Sequence, residues 1–224
     1  MGAFVSAIIV AAGDSTRMGI NKSKQFIKLK GEPVIKHTLW AFEISDVINS
    51  VVVVCREQDE NEIKSVIRKG GFGKVKAVVY GGDTRDRSVK NGVQACDERT
   101  THFAIHDGAR PLVSYDDIKA VVSEAIKYKA AALGTLVTDT IKIVDENNNI
   151  ISTPDRSTLR AVQTPQVFEK KLYLKALREG SSKGITDDCQ LVESIGESVK
   201  IVIGSEKNIK LTTQNDILIA ESLI

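Results

Sequence analysis

Three cysteines, four prolines and an aromatic share of 5% leave this 224-residue chain poor in the residues that mark specialised scaffolds. Cys55, Cys96 and Cys189 are odd in number, far apart and outside any C-x-x-C spacing. That argues against a disulfide framework or a structural zinc site and for reduced thiols. No run approaches the ~18 apolar residues of a membrane helix, and the N-terminus lacks the basic start and cleavage site of a secretory signal, so a cytoplasmic protein away from the membrane is expected. An excess of one charge is missing too. Lys and Arg number 31 against 29 Asp and Glu, a net +2 that is too balanced for a protein whose main business is coating nucleic acid.

What remains is 42% hydrophobic and 27% charged, the composition of an ordinary globular chain, at about one and a half times the ~150-residue prior for a domain. Apolar runs of strand length at 5–12, 51–55, 75–80, 103–106 and 130–137 alternate with stretches of helical period at 33–45, 60–69 and 115–128. Gly70 and Gly71 supply a helix stop, and Ser114 with Asp117 resembles a capping box. Repeated β-α-β alternation predicts an α/β fold, a mostly parallel sheet flanked by helices. After residue 137 the pattern changes: 140–144 and 149–153 flank a polar turn and predict a protruding β-hairpin arm at about 137–156 on a single domain spanning 1–224. A hairpin is marginal alone in water, so packing against a second subunit is expected. A helix after Thr164-Pro165-Gln166, one near 187–194, a strand at 199–203 and a helix at 214–223 close the chain.

In open parallel sheets ligands bind beyond the carboxyl ends of the strands. Three glycine-bearing loops leave such ends, at 13–19, 81–85 and 107–111, each pairing small residues with an arginine whose fork suits phosphate. Between Asp14 and Lys36 six bases stand against two acids, leaving that segment at +4 and suited to a small polyanion. Several phosphate and hydrolase motifs are absent: there is no G-x-x-x-x-G-K-[ST], no G-x-G-x-x-G, no Asp-x-Asp and no Gly-x-Ser-x-Gly elbow leaving a strand. P-loop ATPase, Rossmann dehydrogenase and serine hydrolase chemistry therefore fall away. His106 reads equally as a structural hydrogen-bonding group or a ligand contact.

The stretch Ala11-Ala12-Gly13-Asp14-Ser15-Thr16-Arg17-Met18-Gly19 with Lys24-Gln25-Phe26 resembles the signature loop of nucleotidyltransferases with the glycosyltransferase-A-like fold. Gly81-Gly82-Asp83 with Arg85 and Ser88, then His106-Asp107-Gly108-Ala109-Arg110-Pro111, Asp139-Thr140, Arg156, Thr164-Pro165-Gln166, Thr186-Asp187-Asp188 and Asn208-Ile209-Lys210 follow in order. Together they resemble the 2-C-methyl-D-erythritol 4-phosphate cytidylyltransferases over almost the whole chain. Ser15, Ser23, Gly108 and Arg160 depart from that pattern without removing a charged group.

The resemblance implies attack of a sugar-alcohol phosphate on the α-phosphorus of CTP. Arg17 and Lys24 would stabilise the triphosphate, and Arg156 and Lys210 would orient the attacking phosphate. Nucleotide contacts are expected from Ala11, Ala12, Gly13, Ser15, Gly82, Asp83, Arg85, Ser88, Asp107 and Gly108. Those to the sugar phosphate are expected from Asp107, Arg110, Thr140, Arg156, Thr164, Thr186 and Lys210. Mg²⁺ is expected to ride on the CTP phosphates rather than in a protein cage. The arm is expected to reach a neighbour's site in a homodimer. Neither nucleic acid nor membrane is an expected partner. The alternatives are ribitol 5-phosphate cytidylyl transfer, uridylyl or thymidylyl transfer, and a non-catalytic nucleotide-binding module.

Overall fold

The computed structural model describes residues 2–13, 23–181 and 184–224. Strand β1 (Val5–Val10) is followed by two short paired strands, β2 (Lys28–Leu29) and β3 (Glu32–Pro33), which lead into helix α1 (Val34–Ile44). Next come β4 (Ser50–Cys55), α2 (Glu60–Gly70), β5 (Val75–Tyr80), α3 (Arg85–Gln94), β6 (His102–Asp107) and α4 (Tyr115–Tyr128). The second half holds β7 (Ala130–Leu136), the short β8 (Ile143–Val144) and β9 (Ile150–Ser152), then β10 (Arg160–Glu169) and α5 (Lys170–Glu179). Helix α6 (Asp188–Glu193), β11 (Lys200–Ile203) and α7 (Gln214–Leu223) complete it.

Seven of the described strands form one sheet in the order β11-β7-β10-β6-β1-β4-β5. Its neighbours are parallel except that β10 runs against both β6 and β7. Strands β1, β4 and β6 are buried on both faces because both faces are covered, as in a parallel sheet. Alternation still sorts the side chains. Ala7 and Ile9 pack with Leu39 and Phe42 of α1 and Val121 of α4, whereas Ile8 packs on the opposite face with Val89 of α3 and Tyr173 of α5. Tyr173 stacks on Phe168 of β10 at 5.1 Å between centroids.

Local signals set the helix ends. Gly71 at φ +66° stops α2, a conformation that costs glycine little. Ser114 accepts from the Asp117 amide, but Asp117 turns its carboxylate to the Ser205 amide instead of back to Ser114, so only half of the expected capping box forms. The full box stands at α7, between Thr213 and Asp216. In α3, a Cβ on Gly92 would lie 2.5 Å from Ile8 Cγ2 and 2.9 Å from Val54 Cγ2, so this glycine lets the helix press onto the sheet.

Three readings of the sequence are corrected. Strand β10 lies in mid-sheet where only a loop leading to a helix is expected: its Gln163-Thr164-Pro165-Gln166 centre is polar and carries a proline, which a ladder normally excludes. The register slips between Val162 and Gln166, and that irregularity accommodates the proline. Helix α3 is absent from the sequence reading because its apolar positions are only Val89 and Val93 amid polar residues. The arm is present but its paired segments are shorter than expected, since Asp145 closes the turn by accepting from the amides of Asn147 and Asn149.

Candidate functional site

Val10 is paired with Asp107 across β1 and β6, so the carboxyl ends of these two strands stand level. The sheet also reverses here: β1, β4 and β5 advance one way and β6 returns on the other side of β1. Two adjoining hollows open at this crevice. The first, about 490 Å³, has Ala12, Gly13, Lys24, Gly82, Asp83 and Ser88 on its wall; the second, about 280 Å³, has Arg110, Gln163, Thr164 and Thr186. Arg85, Asp107 and Lys210 belong to both.

The wall of the first hollow is shaped by the turn out of β5. Ser88 Oγ accepts from the Gly82 amide at 3.0 Å and donates to the Thr84 carbonyl at 3.0 Å. A Cβ on Gly81 would stand 2.4 Å from Ala12 Cβ, so the β5 and β1 loops meet only because that position is glycine. Asp83 is exposed and paired with Arg87 at 2.6 Å.

Asp107 is the electrostatic centre. Lys210 Nζ lies 2.8 Å from its carboxylate, Arg110 Nε 3.6 Å and Arg85 Nε 3.9 Å. Burial alone raises a carboxyl pKa, yet Lys210, Arg85 and Arg110 outweigh it and hold Asp107 down at about 2. One carboxylate facing three cations leaves a net positive wall, which suits phosphate oxygens on either side. Behind it, Arg85 pairs with buried Asp188 at 2.6 Å, and Tyr173 Oη donates to the other Asp188 oxygen at 2.6 Å. Burial lowers the Arg85 pKa, but Asp188 and Asp107 more than reverse that, so the guanidinium stays charged.

His106 is fully buried beneath this centre. Its Nε2 faces the Arg110 carbonyl at 3.1 Å and its Nδ1 faces Thr164 Oγ1 at 3.1 Å. A carbonyl only accepts, so Nε2 carries the proton and Thr164 donates to Nδ1. Burial pushes its pKa down to about 4, leaving it neutral with both nitrogens occupied. The structural reading of His106 holds.

The other anticipated residues fall into three groups. Ala11 and Gly108 sit under the crevice: the Ala11 carbonyl accepts from Gln25 Nε2 at 2.7 Å and the Gly108 carbonyl from Thr38 Oγ1 at 3.0 Å. Arg156 and Thr140 lie on the arm, and neither lines the two hollows at Asp107. Arg156 lines a third hollow of about 580 Å³ with Leu136 and Arg160, and it donates to the Thr138 carbonyl at 2.6 Å. Arg17 and Ser15 lie outside the described residues. The sequence reading gave no role to Tyr173, Asp188, Asn208 or Gln25. Asp188, Asn208 and Gln25 stand within quoted motifs, and that adjacency is the signal that could have found them; Tyr173 has none, because its partner is fifteen residues away.

Cations gathered where two anions can be brought together match the needs of phosphoryl-group chemistry, and on this sheet they define a nucleotidyltransferase. The family model for 2-C-methyl-D-erythritol 4-phosphate cytidylyltransferase matches residues 5–224. The protein of that name from Caldanaerobacter subterraneus subsp. tengcongensis is 46% identical over 220 residues, 97% of each chain. The one from Desulforamulus reducens is 44% identical over 223 residues, 98% of this chain and 95% of the other. Among solved structures, 4-diphosphocytidyl-2C-methyl-D-erythritol synthase from Anaerococcus prevotii is similar at a TM-score of 0.88 and 35% identity, covering 99% of this chain and 98% of that one. The chain belongs to the 2-C-methyl-D-erythritol 4-phosphate cytidylyltransferase family, and it is an enzyme of the nucleotidyltransferase class.

Proposed function

We infer that the enzyme transfers the cytidylyl group of CTP to 2-C-methyl-D-erythritol 4-phosphate, releasing pyrophosphate and forming 4-diphosphocytidyl-2-C-methyl-D-erythritol for isoprenoid precursor synthesis. The observation that carries this reading is the pair of hollows sharing Asp107, Arg85 and Lys210, one for each phosphate-bearing substrate. A phosphate oxygen of the acceptor forms a bond to the α-phosphorus while the bond to the bridging oxygen of the leaving pyrophosphate breaks. The second pKa of a phosphate monoester is about 6, so the attacking oxygen is already ionised at neutral pH and no base is needed. Repulsion between the anions is the obstacle, which is why positioned cations carry the catalysis. Lys24 and Arg17 are assigned to the triphosphate, and Arg110, Lys210 and Thr164 to the acceptor phosphate. Arg85 and Asp107 hold the boundary between them.

Magnesium fits the donor set only as a companion of the nucleotide. Among the described residues no group of three or more His, Cys, Asp or Glu side chains could hold a metal ion. Asp107 and Asp83 are the carboxylates that line the first hollow, and Asp107 is shared with three cations. Held through the phosphates with Asp107 beside it, the ion would neutralise charge on the triphosphate.

No helix of the described residues is long and apolar enough to cross a membrane. We also propose that 1–224 act as a single nucleotidyltransferase domain and that two chains pair through the arm. Ile150 and Ile151 there are 63% and 64% exposed, with Ile143 and Val144 beside them. An apolar ribbon of this kind needs a surface to cover it. The activity is tested by incubating the protein with Mg²⁺, one of CTP, UTP or dTTP, and either methylerythritol 4-phosphate or ribitol 5-phosphate, and measuring pyrophosphate. Release with CTP and methylerythritol 4-phosphate alone is expected. Faster release with ribitol 5-phosphate, or none with any pair, overturns the reading.

A further inference from the structure

Asn208 is fully buried and lines neither hollow, yet Arg110 and Thr164, both assigned to the acceptor phosphate, are tied to it. Its Nδ2 donates to the Thr164 carbonyl at 2.9 Å and to Gln163 Oε1 at 3.2 Å. Its backbone carbonyl accepts from Arg110 NH1 at 2.7 Å. The ring then closes through His106, which bonds the Arg110 carbonyl on one side and the Thr164 hydroxyl on the other. Two residues along, Lys210 reaches Asp107, and the Leu211 amide pins the loop to the Ala109 carbonyl at 2.9 Å. Thr164 in turn accepts from the Asp107 amide at 3.1 Å. This circuit joins the β6 end, mid-β10 and the loop before α7, three segments distant in sequence that meet only here.

We propose that Asn208 is the positioning residue of the acceptor half of the site: its side-chain amide ties its segment to Gln163 and Thr164 and so holds its backbone carbonyl on Arg110, setting Arg110 and Thr164 in the one arrangement that grips the incoming sugar phosphate. The inference rests on reading the second hollow as the sugar-phosphate side. Its physical basis is that an arginine or lysine recognises phosphate only when its donors are pre-aimed, and misplacing them by about 1 Å is enough to cost affinity and rate. The first hollow depends on different supports, Ser88 and the Gly81 approach, so the damage should be one-sided. Shape alone does not substitute: an aspartate at 208 would put an acceptor oxygen in the place of Nδ2, facing Gln163 Oε1 and the Thr164 carbonyl, which are themselves acceptors.

The test uses the full chain carrying Asn208→Ala, Asn208→Asp or Asn208→Ser, with KM for each substrate from pyrophosphate release, CTP affinity by calorimetry, and Tm. For Asn208→Ala, KM for methylerythritol 4-phosphate should rise tenfold or more while the Kd for CTP stays within about twofold of wild type. Asn208→Asp should be at least as impaired, and Asn208→Ser should recover part of the loss. Should Asn208→Ala give no folded protein, the serine variant carries the same comparison. Equal weakening toward both substrates, or a fall in Tm with both constants unchanged, overturns the proposal. A wild-type protein that releases no pyrophosphate with methylerythritol 4-phosphate instead overturns the functional reading on which it stands.

Discussion

At Asp107 and His106, neighbours on β6, burial acts on two titratable groups with opposite outcomes. The carboxylate keeps its charge because three cations face it, whereas the imidazole gives its charge up because burial outweighs the Arg110 carbonyl and the Asp107 carboxylate, which both favour the charged ring. The second case has a consequence for stability. Free histidine titrates near 6.5 and His106 at about 4, so between these values the unfolded chain binds a proton that the fold refuses. The stabilisation is whole above pH 6.5 and is lost as the pH falls toward 4, at most about 3 kcal/mol in total. His102 is lowered by burial too and adds to the same slope, so the measurement must be a difference. Urea unfolding of the wild type and His106→Gln at pH 7 and pH 4.5 should show a clearly smaller pH loss in the variant. Equal losses would mean that His106 is protonated in the folded protein.

Among the elements, α3 does the most to shape the nucleotide side while announcing itself least. It begins at Arg85, its first turn holds Ser88, and it lies close on β1 and β4 because Gly92 carries no side chain. Alanine at 92 gains about 1 kcal/mol in helix propensity, but contacts of 2.5 and 2.9 Å must be relieved, and overpacking of that kind costs about 1–3 kcal/mol. The clash wins. Gly92→Ala should therefore lower stability to urea and raise KM for CTP by tilting the helix start; a more stable variant with unchanged KM would show that α3 is free to shift. That dependence was not legible in the sequence, because a helix with two apolar positions has almost no periodic signal to read. Strand β10 was missed for a related reason, since its buried centre is polar and pairs through specific partners such as Asn208 rather than by alternation. The parallel strands and α4 were legible because continuous apolar runs and helical period report burial directly. The three loops were legible as glycine with arginine at strand ends. Their shared centre was not, because Asp107, Arg85, Arg110 and Lys210 come together only through the strand order.

For the whole molecule, the open question of assembly turns on where Arg156 works. In one chain it lies on the arm, its guanidinium on the Thr138 carbonyl, lining a hollow that shares no residue with the two at Asp107. A second chain that covers the apolar arm would bring such an arginine to its partner's acceptor side, and each site would then be built from two chains. Lys24→Ala is expected to cut kcat by about 10²–10³ with folding intact, since it removes a transition-state cation, and Arg156→Ala should disable the same reaction from the other side. Mixed one to one after unfolding and refolding together, the two variants should form hybrids in which one site keeps both residues and the other loses both. With random pairing about half the dimers are hybrids, so activity should recover to about a quarter of wild type. If each chain instead supplies its own Arg156, every site in the mixture lacks one residue and activity stays at the level of the separate variants.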